Sequence, residues 1–448
     1  MEIDSKSPSY VNDVSRWILS QTIIGGTESM RAAGKALLPQ EEGESDKAYA
    51  NRLLRSVFYN RYAKAVREVT GKIIEGGFQL SGDISPELIT MLEDCDHEQR
   101  DLNQFLSEVC QESVIKGVSY VLVEYPVTAG AILTREQEQQ ANIRPYLVHI
   151  KPEQLFYFQA TEGQLEVIRF FEDIVEEVSV VTQIREITPN TWSTYRQNEK
   201  GEWAILDSGE MTLGAIPLVA LYARRTGFMS ARPPLEDLMH INIKHWQSSS
   251  DQSHILHVAR VPILFGTGLE DGIFEMGPNR LVRAEQGATL SFVEHTGKAI
   301  QAGAADLEAL ETQMEAMSMA PLLNSKPGVQ TATAHSIDSA EAQSILQLIR
   351  LSWEDAANLL LYYFSKWSNI PVSGLVKLNS LTSSQLSPDV KLAEISKARA
   401  IGDLSRRSYL AALRDYGILS EDFDIDAEDS SVSLEMGSVN VNQQQDIR

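Results

Sequence analysis

Cysteine is nearly absent from this chain. Cys95 and Cys110 are the two among 448 residues, too few for a disulfide framework, so a reducing compartment is the expected place of folding. Long hydrophobic runs are missing as well. No stretch of 18 apolar residues occurs, and the best candidate, Leu359 to Phe364, is far too short to span a bilayer. The first ten residues, MEIDSKSPSY, are polar and lack the apolar segment of a signal peptide. A soluble protein with no membrane partner is expected. Positive charge is scarce: 39 Lys and Arg against 62 Asp and Glu leave a net charge of −23. A protein that grips nucleic acid by neutralising phosphates should be basic, at least locally. Ordinary DNA binding is therefore excluded, although acidity also serves solubility alone.

Catalytic motifs are missing in the same way. Thr296-Gly297-Lys298 resembles the end of a phosphate-binding loop, but Phe292 stands where its first glycine should be and Ala299 where a magnesium-binding Ser or Thr is needed. Gly266, Gly268 and Gly272 are spaced one residue too long for a dinucleotide fingerprint. No Gly-x-Ser-x-Gly elbow and no His-Glu-x-x-His pair occur. His240, His245, His254 and His257 share one helical stretch without carboxylates or thiols at ligand spacing, so packing is the expected role. Asp94-x-Asp96 lacks the glycine and distal glutamate of a calcium loop. A helix pair carrying Arg406, Arg407 and Arg414 hints at a helix-turn-helix, yet Asp403, Asp415, Glu421 and Asp422 would meet the phosphates. No catalytic residue, metal or cofactor is expected.

What is present is a succession of contrasting periods. Residues 10–77 carry apolar side chains at helical spacing, a Ser85-Pro86 start signal opens another helix, and Leu102 to Lys116 follows with Phe105, Val109 and Val114 on one face. From Val118 the period becomes two, and alternating segments at 146–150, 165–172, 178–187, 191–197 and 203–207 predict a mixed or antiparallel sheet. Pro233 to Gly268 is the most informative stretch, an amphipathic helix running straight into a short apolar strand at Val261 to Phe265. Further strands are expected at 280–283 and 289–293, then helices at 302–319 and 336–368 separated by the loop LLNSKPGVQTATAH. Two short helices and a polar tail complete the chain.

Within the amphipathic helix, Leu235, Asp237, Leu238, Asn242, Ile243, His245, Trp246, Ser249, Ser250 and Asp251 resemble the first stem helix of tailed-bacteriophage portal proteins, in a subgroup of phage proteins without assigned function. Gly34 to Pro39, Glu44, Tyr49, Arg52, Phe58-Tyr59-Asn60, Gly71 and the run Gly117 to Pro126 fall in the same family's order, with Glu124 where the subgroup commonly has Asp. The matches span about residues 10 to 270.

The resemblance implies an α+β fold of portal-like architecture. Its parts would be an α+β wing at 1–231, a first stem helix at 232–260, a small β-rich clip at 261–300 and a second stem helix at 301–320. A tunnel loop at 321–335, a long wing helix at 336–370, and a helical crown with polar tail at 371–448 would follow. It further implies a non-enzymatic homo-oligomeric ring, a dodecamer carrying a formal charge of about −276 (twelve times −23), at the unique vertex of a phage virion and assembled in the host bacterial cytoplasm. Double-stranded DNA would pass through it without sequence readout, touching Leu322, Asn324, Ser325 and Lys326 of the tunnel loop and meeting channel-lining acids Asp306, Glu308, Glu311 and Glu315. The implied partners are the large terminase subunit, major capsid and scaffold proteins, and head-completion or adaptor proteins. An α+β enzyme without a recognisable motif, or a minor phage head protein on a similar scaffold, remains the alternative.

Overall fold

Ser7, Ser45, Asn60, Ser85 and Asp101 each precede a helix, and each side-chain oxygen accepts the backbone N–H three residues on, at 2.7 to 3.4 Å. These N-caps satisfy donors that the first helical turn leaves unpaired. They set α1 (Pro8–Ile24), α3 (Asp46–Arg55), α4 (Arg61–Ile73), α5 (Pro86–Leu92) and α6 (Leu102–Lys116), with α2 (Gly26–Ala33) between the first two. The computed structural model describes residues 2–126, 137, 141–260, 263–267, 289–293, 298–318, 332–378, 388–415, 418–420, 423–425 and 427–428. It divides into two compact units, Met1–Asn379 and Ser380–Arg448. Both helices and strands build the first, so the fold class is α+β.

Three sheet systems follow α6. β2 (Val118–Glu124) is the centre of an antiparallel three-stranded sheet, flanked by β3 (Tyr146–Ile150) and β9 (Leu218–Tyr222). β4 (Leu155–Thr161), β5 (Gln164–Glu176), β6 (Ser179–Ile187), β7 (Thr191–Gln197) and β8 (Trp203–Glu210) form a sequential five-stranded antiparallel meander. A short pair, β10 (Arg225–Gly227) with β11 (Ser230–Ala231), leads toward the next helix. Gly117 makes the turn from α6 into β2 possible. Its φ is +92°, and a Cβ there would sit 2.5 Å from the Arg232 backbone, a conformation and a clearance only glycine tolerates.

Beyond the sheets, α7 (Glu236–Ala259) and α8 (Lys298–Met317) form an antiparallel helical hairpin. Gln252 donates to the Ile300 carbonyl, Ser248 to Asp306, and His245 meets Glu311, so partners step along the two helices in opposite directions. Between them β12 (Ile263–Thr267) pairs antiparallel with β13 (Thr289–Val293), Ile263 opposite Val293 and Thr267 opposite Thr289. The expected strand at 280–283 lies outside the described residues. The second helix starts at Lys298 rather than 302; Leu310 and Met314 on it are buried, whereas Met317 is exposed.

The long helix α9 (Ala332–Ser368) runs back over the first unit, where Ile349, Trp353, Leu360 and Phe364 join a core shared with α4, α5, α6 and β2. Next comes β14 (Leu375–Leu378), which pairs antiparallel with β1 (Phe78–Ser81), Phe78 opposite Leu378. The expected C-terminal segment 371–448 thus divides: β14 belongs to the first unit and the remainder is compact by itself. In the second unit α10 (Pro388–Ile401) and α11 (Arg406–Asp415) are joined through Gly402, at φ +87°, with Ser405 capping α11. No helix among the described residues is long and apolar enough to cross a membrane.

Candidate functional site

Many of the residues that carry the family resemblance converge on one place, the side of α7 that faces α3, α4 and the segment before α3. Asn242 is fully buried. Its amide oxygen accepts the Tyr62 N–H at 3.0 Å and its NH2 donates to the Tyr59 carbonyl at 2.8 Å. Both groups belong to the entry turn of α4, where Asn60 caps the helix and donates to the Ile23 carbonyl at 2.7 Å. Two asparagines therefore tie α1, α4 and α7 together through backbone groups that would otherwise be unpaired away from water.

One turn on, Trp246 is buried and meets Phe58 edge to face at 6.2 Å between ring centres. The neighbouring His245 lies 5.6 Å from the Tyr59 ring, and its Nε2 is 3.3 Å from Glu311 of α8. The next turn is polar again. The Ser250 and Ser56 hydroxyls lie 2.8 Å apart, and Gln247 donates to the Leu37 carbonyl at 2.8 Å.

Three consecutive carbonyls before α3 are each taken by a different side chain. Leu37 accepts from Gln247, Leu38 from the Tyr49 hydroxyl at 3.0 Å, and Pro39 from Arg52 at 2.7 Å. Arg52 is itself buried and grips Glu44 as a fork, Nε to Oε1 and Nη2 to Oε2, both at 2.9 Å. Such bidentate pairing holds the Glu44 carboxyl below its ordinary range, hydrogen bonds from Arg52 being the largest cause. Asp251 lies 3.6 Å from the same guanidinium. Burial outweighs that attraction and pushes its carboxyl upward. Leu235 is buried and Asp237 exposed at the start of α7. Gly71, on the exposed face of α4, touches none of this network.

The lock therefore fixes the root of the helical hairpin to the α+β unit. It has the chemistry of a joint: most of its polar groups are matched to one another, the buried Trp246 Nε1 and His245 Nδ1 being without a partner among the described residues, and no nucleophile stands beside a base. Among the described residues no group of three or more His, Cys, Asp or Glu could hold a metal. Asp94 and Asp96, weighed above as calcium ligands, are occupied by Arg144, Arg100 and the backbone N–H groups of Gln99 and Glu98. Glu124 of β2 accepts from the Tyr146 hydroxyl at 2.8 Å and pairs with the half-buried Arg185 of β6 at 2.7 Å, joining the two larger sheets.

The four stem acids do not behave alike. Asp306 accepts from Ser248 at 2.7 Å, Glu311 meets His245, and Glu315 lies 3.8 Å from the buried Arg61, which also donates to Ser318 at 2.8 Å. All three are turned toward α7 and α4. Glu308 is exposed and has no such partner among the described residues. Leu322, Asn324, Ser325 and Lys326 lie outside the described residues, and the end of the expected loop, 332–335, is the first turn of α9.

A family model described as a domain of unknown function, DUF4055, matches residues 234–368, from just before α7 to the end of α9. No curated protein matches the chain. Among solved structures, the chain is similar to one in the neck of a native GTA particle computed with C12 symmetry. The identity is 13% and the TM-score 0.43, with 86% of this chain and 92% of that one covered. It is likewise similar to a chain in the virion of a native gene transfer agent (GTA) particle, at 12% identity and TM-score 0.43, covering 86% of this chain and 98% of that one. A third similarity is to a chain in the neck of an empty GTA particle computed with C6 symmetry, at 12% and 0.43, covering 87% and 93%.

Proposed function

We propose that this chain is the subunit of a non-enzymatic portal ring of about twelve copies at the unique vertex of a tailed-phage head. Double-stranded DNA enters and leaves through the ring. The observation that carries this reading is the lock: many of the residues resembling portal landmarks, among them Glu44, Tyr49, Arg52, Tyr59, Asn242 and Trp246, meet at the root of a helical hairpin that ends in the β12–β13 ribbon. A hairpin so rooted is a stiff projection from an α+β body, and copies of it set side by side make a channel wall.

In this reading the β12–β13 ribbon docks the packaging ATPase during filling and head-completion proteins afterwards. The loop with Leu322, Asn324, Ser325 and Lys326 supplies weak contacts to the phosphate backbone that carry no sequence information. Surplus acid keeps adhesion low, since like charge facing the bore repels the duplex. Asp306, Glu311 and Glu315 have a second role, holding α8 to α7 and α4, which leaves Glu308 as the stem acid free to face DNA.

Electron microscopy of the purified full-length chain tests this reading. Closed rings with an axial passage wide enough for a B-form duplex are expected. Rings with a filled centre, or open filaments alone, contradict it.

A further inference from the structure

The long helix α9 is apolar on two opposite faces. One carries Ile349, Trp353, Leu360 and Phe364 into the core. The other exposes Leu348, which is 65% accessible, with Leu351, Leu359 and Tyr362. At 1.5 Å per residue this strip runs along about 21 Å of helix, and exposed apolar side chains gathered on one face mark an interaction site. In its middle stands Asp355, exposed and without a side-chain hydrogen bond or ion pair among the described residues.

The strip is symmetric about Asp355. Leu348 and Tyr362 lie seven residues to either side of it, and Leu351 and Leu359 four. If two copies packed strip to strip across a twofold axis, antiparallel or parallel, the two Asp355 carboxylates would face each other in an apolar seam. Like charges brought together there penalise self-pairing. The strip needs an apolar partner that carries a cation.

The same chain has one. At the C-terminal end of α3 and in the turn from it to α4, Leu54 is 68% accessible, Val57 66% and Tyr59 52%. Arg55 stands among them, exposed and likewise unpaired among the described residues. In a chain with 62 acids and 39 bases, this patch sets a cation beside three exposed apolar side chains.

We infer that the α9 strip of one copy seats on the α3–α4 turn of the next, with Asp355 facing Arg55. A contact between two different patches is head-to-tail, the kind that closes into a ring when the rotation between copies allows. The inference rests on the ring reading above and says where neighbouring copies touch.

Cross-linking of full-length variants tests it. Leu348→Cys and Val57→Cys are prepared separately and treated with a short bismaleimide, alone and as an equal mixture. The native Cys95 and Cys110 are both buried and do not compete. A covalent dimer in the mixture, and little in either variant alone, is expected. No dimer in the mixture, or as much from Leu348→Cys alone, overturns the contact. In a second arm, Asp355→Arg and Arg55→Asp should each raise the concentration needed for half-assembly about tenfold or more, and the double variant should restore it. If wild-type rings form and both reversals leave them unchanged, the contact is wrong and the ring reading stands. If wild type forms no ring but the mixture cross-links, the contact stands and the ring reading falls.

Discussion

Asn242 of α7 holds both the N–H of Tyr62 and the carbonyl of Tyr59, so a single buried amide spans two groups of one helix entrance. Replacing it by Ala leaves a donor and an acceptor unpaired in the core, each costing about 1–3 kcal/mol. Asn242→Ala is expected to lose about 3 kcal/mol or more in urea unfolding. Asp237→Ala, at the exposed position of the same motif, should change stability by less than about 0.5 kcal/mol. Equal effects would mean that the motif is not a packing device.

Gly303 lies where α8 crosses Gln252 of α7. A Cβ at that glycine would fall 2.1 Å from the Gln252 amide oxygen, and the same amide donates to Ile300 at 2.8 Å. Gly303→Ala should therefore displace that side chain and lose its hydrogen bond to Ile300, a cost that offsets the gain from replacing a helical glycine. In a Gln252→Ala background the clash is gone and the helix gains roughly 1 kcal/mol from replacing glycine. The predicted non-additivity, a larger gain without Gln252 than with it, read from the four thermal or urea midpoints, is the signature of direct contact.

His149 of β3 is mostly buried beside Ser119, whose hydroxyl lies 2.7 Å from Nε2. Burial, reinforced by Lys151, Lys116 and Arg100, pushes its pKa down from 6.5 to about 4. The unfolded chain then binds a proton that the folded chain refuses. The neutral imidazole's contribution is fully present above pH 6.5 and is lost as pH falls toward 4, amounting to roughly 3 kcal/mol at about 1.4 kcal/mol per unit. The stability difference between wild type and His149→Gln should shrink across that window. A difference independent of pH would contradict the assignment.

Burial pushes the Cys95 thiol up to about 12 and raises that of Cys110 well above its usual 9. Neither is a nucleophile near neutrality, since the thiolate is the reactive form. Reaction with a thiol-specific reagent at pH 8 should proceed at the rate of unfolding and accelerate with urea. Fast labelling of the native protein would contradict this placement.

Much of the fold is legible in the chain because its signals are local. The Ser-Pro start of α5, the apolar run of β2 and the alternation in β5 to β7 each declare themselves within ten residues. The β1–β14 pair does not. Its strands are four residues each and nearly 300 residues apart, so no local period records the pairing. β4, read as LFYFQAT, packs Phe156 and Tyr157 on the same cluster as Trp17 of α1, and its adjacent aromatics hide the alternation.

The candidate site was legible by resemblance while its physical purpose was not. The signal lay in Asn242, a polar residue four positions from Leu238 and Trp246 on the buried stripe of α7. Arg52, three positions after buried Tyr49, is a second intrusion of the same kind. Polar residues at core positions report partners elsewhere, and here the partners are backbone groups of the segments around α3 and α4. The three stem acids that turn toward α7 and α4 could not be told from Glu308 by spacing, because their partners Ser248, His245 and Arg61 lie on other helices.

The mass of the purified full-length chain in solution, followed by mass photometry across a range of concentrations, tests the central claim most directly. A closed species near twelve times 49.9 kDa, about 600 kDa, with few intermediates is the result expected of cyclic closure. A monomer or dimer at every concentration, persisting when capsid and scaffold proteins are supplied, would contradict it.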